Sequence, residues 1–113
     1  MPMPTPAQKA LPIPVKDALR QVGQGIRIAR KRRRMSLREL AERSLLTIPT
    51  VQRAERETEK VSLAVLAQIL FALNLLDGLK AVADPAGDAV GQALEVSRLP
   101  KSARQPKRRD LDF

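Results

Sequence analysis

The chain contains no cysteine, histidine, tryptophan or tyrosine. Without cysteine there are no disulfides and no thiol chemistry, and without histidine the usual zinc sites are excluded as well. Cysteine usage therefore leaves the redox compartment undecided, and nothing in the composition argues for secretion. Two phenylalanines are the only aromatics, so any core is built from Leu, Ile, Val and Ala. Such a composition, with few β-branched runs, favours helices over sheet. No stretch approaches the roughly 18 consecutive apolar residues of a membrane span. The N-terminal MPMPTPAQKALPIP holds five prolines and no continuous apolar core, unlike a signal peptide. A cytoplasmic protein with no membrane partner is the simplest expectation. Catalytic equipment is also missing. There is no glycine-rich phosphate loop and no carboxylate pair in an apolar setting, and Asp84 and Asp88 flank a loop as ordinary solvated charges. An enzyme needs a positioned acid, base or nucleophile, so neither enzymatic activity nor any cofactor or metal is expected.

What the chain has in excess is positive charge. Lysine and arginine number 21 against 12 acids, for a net charge of +9 and a pI near 11.1. That excess bears on partners rather than fold, and the commonest polyanionic partner is nucleic acid. The charge is unevenly placed. Residues 16–60 carry 13 cations and 6 anions, residues 61–97 carry 1 and 4, and residues 98–113 carry 6 and 2. A basic half and a mildly acidic half imply one surface for a polyanion and another for something else.

With 113 residues, the chain is one domain with tails, since compact domains run from about 50 to 250 residues. Residues 1–15 form a proline-rich arm expected to be extended. Helical spacing starts after Pro14, with Leu19, Val22, Ile26 and Ala29/Arg30 on one stripe. Gly23 and Gly25 weaken this helix by roughly 1 kcal/mol each. They mark either a close helix–helix approach or a frayed start. Six cations then fall between Arg27 and Arg34. Some complement the helix dipole, but six exceed what a helix end requires, and a phosphate-facing role is expected for the run.

Ser36 opens a second helix, with Glu39 at capping-box spacing and Leu37, Leu40 and Ala41 inward. Ser44-Leu45-Leu46 makes a turn. Thr47 caps a third helix from about Ile48 to Arg56, where Pro49 in the first turn costs little. Val51 and Ala54 lie inward, and Thr50, Gln52, Arg53 and Arg56 lie outward or sideways. After a polar connector from Glu57 to Val61, Ser62 caps a fourth helix. Leu63, Leu66, Ala67, Ile69, Leu70 and Leu73 make that helix apolar over more than one face, as for a central buried helix. Asn74 ends it, and Leu75–Val82 adds a short fifth helix. Asp84-Pro85-Ala86-Gly87 breaks the chain before a helical repeat through Ala89, Val90, Ala93, Leu94 and Val96. The expected organisation is an arm (1–15), a helix-turn-helix domain (16–82), a helical extension (83–97) and a basic disordered tail (98–113).

A helix-turn-helix sets one helix against a nucleic-acid backbone and a second in the major groove. Small Ala41 permits the approach of the two helices, and Leu40, Leu46, Val51 and Ala54 hold their angle. Through LAERS-L-LTIPTVQRAER and the following SLAVLAQILFALNL, about residues 17–82, the chain resembles the Xre/Cro-type helix-turn-helix family. The resemblance implies an all-α fold: a five-helix domain with a short C-terminal helix and basic tail. Two positions depart from the family. Leu45 replaces the usual turn glycine, although positive φ is unfavourable for leucine. Glu57 replaces the glycine that often ends the recognition helix, which implies a different helix end. IRIARKRRRMSLRELAERS, LLDGLKAVADPAGDAVGQALE and the closing RRDLDF further resemble HipB-type antitoxins. That likeness implies a repressor acting as a homodimer on a palindromic double-stranded operator, with a HipA-like kinase toxin as partner.

Thr47, Ile48, Pro49, Thr50, Gln52 and Arg53 are the candidates for base contact. Arg53 suits guanine, an interaction worth about 1–3 kcal/mol of discrimination, whereas the competing role is an exposed i,i+4 pair with Glu57 worth a few tenths. Ile48 suits a thymine methyl. Arg34, Ser36, Arg38, Arg43, Arg56 and Lys60 are phosphate candidates, with plain surface charge as the alternative. Glu55 is expected to bond within the domain, with a second-helix arginine as a candidate partner. Residues 77–97 and the tail ending in Leu111 and Phe113 form either a toxin-binding surface or a packing helix with a solvated tail. A stand-alone regulator, or a module whose main role is toxin neutralisation, are the alternatives to a feedback repressor. A loose cationic binder of nucleic acid or anionic membrane ranks last, because it needs no helix-turn-helix core.

Overall fold

The computed structural model describes residues 11–98, and all regular structure among them is helical. The chain divides after Leu79 into two compact units. In the first, α1 spans Ile13–Arg32, α2 Leu37–Ser44, α3 Ile48–Arg56 and α4 Leu63–Ala72, with a 3-10 turn at Thr58–Lys60 between α3 and α4. A short α5, Leu76–Lys80, follows at the boundary. The second unit holds a 3-10 turn at Pro85–Gly87 and α6, Ala89–Arg98. The all-α class and the order of the helices match the expectation. The basic tail, with Leu111 and Phe113, and most of the N-terminal arm lie outside the described residues.

Helix α1 begins earlier than the extended arm allowed. Pro12 is its N-cap and Pro14 stands in its first turn. The Pro12 carbonyl accepts from the amides of Val15 and Lys16, both at 3.0 Å. Proline is tolerated there because first-turn amides have no intrahelical partner to lose. Downstream, sequence and caps agree. Ser36 and Glu39 exchange the two bonds of a capping box, each 3.0 Å. The hydroxyl of Ser62 accepts from the Val65 amide at 3.1 Å, and Thr47 caps α3 through the Thr50 amide at 3.4 Å.

Three helix ends close in one way. The amides of Met35, Leu46 and Leu75 reach back five residues to the carbonyls of Arg30, Ala41 and Leu70. Arg34, Leu45 and Asn74, one residue earlier in each case, take positive φ of 55°, 59° and 62°. These are Schellman closures, which usually employ glycine. Leu45 thus keeps the backbone of the glycine it replaces. Its side chain projects into solvent, 85% exposed, so it gains no packing in return. Glu57 instead leaves α3 at φ −132°, the different helix end expected of it.

The core gathers Ile26 and Ala29 of α1, Met35 from the link to α2, Leu40 and Ala41 of α2, Val51 and Ala54 of α3, and Ile69 and Leu73 at α4. Met35, just ahead of α2, was not foreseen. On the α1 stripe Leu19 is half-buried and Val22 exposed, and Gly23 takes the inward place between Leu19 and Ile26. A Cβ on Gly23 would lie 2.5 Å from the Glu55 carbonyl oxygen and collide with the Thr58 hydroxyl, whereas one on Gly25 would meet nothing. Gly23 therefore marks a close approach and Gly25 does not. Helix α4 departs from the expected central burial. Ile69 is its one buried residue, while Leu63 and Phe71 are 66% and 70% exposed. Nine buried apolar residues are enough to cover only one side of a helix whose residues are nearly all apolar. In α6 no residue is buried, and Val90, Leu94 and Val96 are exposed.

Leu45→Gly is expected to stabilise the protein. The αL penalty of about 1–2 kcal/mol exceeds the roughly 0.5–1 kcal/mol of entropy that glycine costs, leaving a gain of about 0.5–1 kcal/mol. Urea unfolding should show a higher midpoint at unchanged slope. A lower midpoint would refute the strain assigned to Leu45.

Candidate nucleic-acid interface

The interface is organised by how α3 is held from behind. Val51 and Ala54 point into the core, and Glu55, on the neighbouring line of the helix, meets α1. The Nε of Arg30 donates to Glu55 Oε2 at 2.7 Å and its Nη2 to Oε1 at 3.1 Å. Its Nη1 donates to the Met35 carbonyl at 3.0 Å. The two side chains are only 10% and 6% exposed. Glu55 does bond within the domain, but its partner comes from α1 rather than α2. Arg30 is accordingly withdrawn from the cationic run expected to face phosphate, and Arg33 partly so, because its Nη1 donates to the Ala29 carbonyl at 2.9 Å. Position gave a signal for Arg30: a cation on an apolar stripe must find a buried acid.

With Val51, Ala54 and Glu55 turned inward, the opposite face of α3 is surface. Pro49, Arg53 and Arg56 are exposed, and Ile48, Thr50 and Gln52 are intermediate. Pro49, Gln52, Arg53, Arg56 and Glu57 line one shallow depression. Arg53 does not pair with Glu57, whose carboxylate takes Lys60 Nζ at 3.1 Å instead. The guanidinium of Arg53 is thereby free to meet an external acceptor. Ile48 packs partly against the core, which leaves only part of its side chain to offer a methyl group. The hydroxyls of Thr47 and Thr50 lie 2.8 Å apart and bond to each other. One of the two protons remains for an outside acceptor, since each hydroxyl has one donor and two lone pairs.

All six phosphate candidates are exposed, and five of them, Arg34, Ser36, Arg38, Arg43 and Arg56, stand around α1's end, α2 and α3. Ser36 receives the Glu39 amide on its hydroxyl, and its own proton is still available. Lys60, the sixth, is held by Glu57 in a pair whose side chains are 57% and 48% exposed. Exposed pairs are worth well under about 1 kcal/mol, so phosphate displaces such a carboxylate at little cost. Thr58 does more than a polar connector requires, and no local pattern in the sequence marks it. It is buried, donates to the Ala54 carbonyl at 2.7 Å and packs over Gly23, tying the end of α3 to α1.

Two short helices meeting at a tight αL turn, the second with a polar and cationic outer face, form a helix-turn-helix. Residues 26–75 match the family model of the Cro/C1-type HTH DNA-binding domain. No curated protein and no solved structure matches the chain. In chain order α3 is the second helix of this helix-turn-helix. The family match starts at Ile26, so the first three turns of α1 lie ahead of it. Among the described residues no group of His, Cys, Asp and Glu is arranged to hold a metal ion, and no helix is long and apolar enough to cross a membrane.

The Arg30–Glu55 pair is open to test. Glu55→Ala or Arg30→Ala should each destabilise by about 3–5 kcal/mol, because the surviving charge stays buried without a partner. The double replacement Arg30→Met with Glu55→Leu should cost far less than either single change. Thermal melts of the three variants measure this, and additive losses would refute the coupling.

Proposed function

We propose that the chain is a sequence-specific transcriptional repressor that binds a near-palindromic operator as a homodimer, with α3 of each copy in the major groove. The observation that supports it most is the free guanidinium of Arg53 on the exposed face of a recognition helix whose inner face is fully engaged. Arg53 reads guanine through its O6 and N7, while Thr50, Gln52 and the Thr47 hydroxyl reach neighbouring edges. Pro49 and Ile48 bring apolar surface toward thymine methyls. Arg34, Ser36, Arg38, Arg43, Arg56 and Lys60 fix the register on the phosphates. Half-sites then stand about one helical turn apart.

Footprinting on the DNA upstream of the gene tests this reading. A protected near-palindrome is expected. Uniform protection, with no site tighter than random DNA, refutes it. Arg53→Ala should relax discrimination at one base position by about 1–3 kcal/mol. Arg43→Ala should weaken all sequences alike and reduce the salt slope by about 0.9.

A second reading adds a protein partner. Val90, Leu94 and Val96 leave α6 with apolar residues uncovered, and the segment around them is acidic where the DNA-binding half is basic. These features favour a HipA-like kinase toxin as the partner of residues 77–97, with repression as feedback. Co-expression with a neighbouring kinase-like gene should yield a copurifying complex that Leu94→Glu disrupts. Separate elution of the two proteins refutes this reading and leaves the repressor untouched.

A further inference from the structure

The cations of α1 are not scattered around it. At about 100° per residue, Lys16, Arg20, Arg27 and Lys31 fall within roughly 60° of one another on the helix. All four are exposed. Arg30 and Gly23 border the same flank from the inside, and both touch α3: Arg30 bonds Glu55, and Gly23 lies under Glu55 and Thr58. The stripe therefore runs beside α3, along the edge of its outer face. Arg56 joins the two. It lines the depression on that face with Pro49, Gln52 and Arg53, and a second depression with Lys16, Arg20 and Thr58.

We propose that this flank of α1 is a phosphate track, continuous with the recognition surface through Arg56, that binds the backbone of duplex DNA outside the base pairs read by α3. The proposal rests on the DNA-binding reading above and assigns a role to Lys16, Arg20, Arg27 and Lys31. Lys16 and Arg20 precede the stretch that matches the Cro/C1-type family model, which starts at Ile26, so their contribution lies outside that match. From Lys16 to Lys31 the axis rises about 22 Å. Phosphates of one strand lie about 3.4 Å apart along the DNA axis, so the track faces several in succession.

Two carboxylates stand on the track. Asp17 accepts from Arg20 Nη1 at 2.9 Å, and Glu59 lines the second depression. The Arg20–Asp17 side chains are 64% and 61% exposed, and such a pair yields to a phosphate in water. The side chains of Arg27 and Lys31 make no hydrogen bond or ion pair among the described residues. Repulsion from the two acids tunes affinity downward without closing the track, because four cations and Arg56 outnumber them.

The test uses the full chain and a duplex of random sequence about 40 base pairs long, followed by fluorescence anisotropy across a KCl series. Each neutralised phosphate contributes about 0.9 to the slope of log K against log salt. Lys16→Gln with Arg20→Gln should therefore lower the slope by about 1.8, and Arg27→Gln with Lys31→Gln by a similar amount. Ala18→Glu changes net charge on the opposite flank of α1 and should leave the slope as it is. Unchanged slopes in both double variants overturn the track, as does an equal loss from Ala18→Glu, which would reduce the effect to overall charge. A wild-type chain that binds no duplex at any salt overturns the DNA-binding reading as well. One that binds with its slope insensitive to α1 overturns the track alone. Should one double variant fail to fold, the other pair decides.

Discussion

Arg30 and Glu55 are 25 residues apart, and their bidentate contact is the constraint that the rest of the domain obeys. A helix can rotate about its own axis with little change in its internal bonds, so something outside it must fix which side faces out. Here the carboxylate of Glu55 has both oxygens taken by one guanidinium. That guanidinium is in turn bonded to the carbonyl of Met35, at the entry to α2. One charged group thus ties α1, the start of α2 and α3 together. Burying the pair brings no large gain in stability, since desolvation offsets most of the attraction. What it supplies is orientation. With Glu55 committed inward, Arg53 and Arg56 have no place but the surface.

A second contact acts on the same end of that helix. Because Gly23 has no side chain, α1 lies against the Glu55 carbonyl and the Thr58 hydroxyl. Thr58 reaches back to the Ala54 carbonyl and stops α3 from fraying into the connector. Helix α3 is short, and isolated helices of that length are marginal in water. Anchored to α1 through its C-terminal turn, it presents side chains from a fixed frame. Preorganisation of this kind lowers the ordering cost that any DNA contact must overcome.

Much of this was legible in the sequence. The capping pair Ser36–Glu39, the Thr47 cap, Pro49 in a first turn and the inward Val51 and Ala54 are local patterns, and the structure carries each one. What could not be read depends on contacts between distant segments. Arg30 sat within a run of cations, and nothing local distinguished it from its neighbours except its place on the apolar stripe. Thr58 looked like linker because its burial is created by a glycine 35 residues earlier. The extent of burial of α4 was overestimated for a related reason: apolar composition sets what a helix can bury, and the number of neighbouring elements sets what it does bury. Leu63 and Phe71 face outward because no other helix among the described residues covers them.

The three glycine-free helix ends carry a different implication. Asn74 tolerates its conformation, but Arg34 and Leu45 hold left-handed backbones at about 1–2 kcal/mol each. A domain this small has a net stability on the order of 5 kcal/mol, so its turns hold back an appreciable part of what the core provides. Any partner that engages only the folded chain adds stability in proportion to the logarithm of its saturation. The lifetime of the unbound protein and the occupancy of its partners thereby become linked quantities. In such a molecule the turns, as well as α3, help to set how long an unoccupied copy persists.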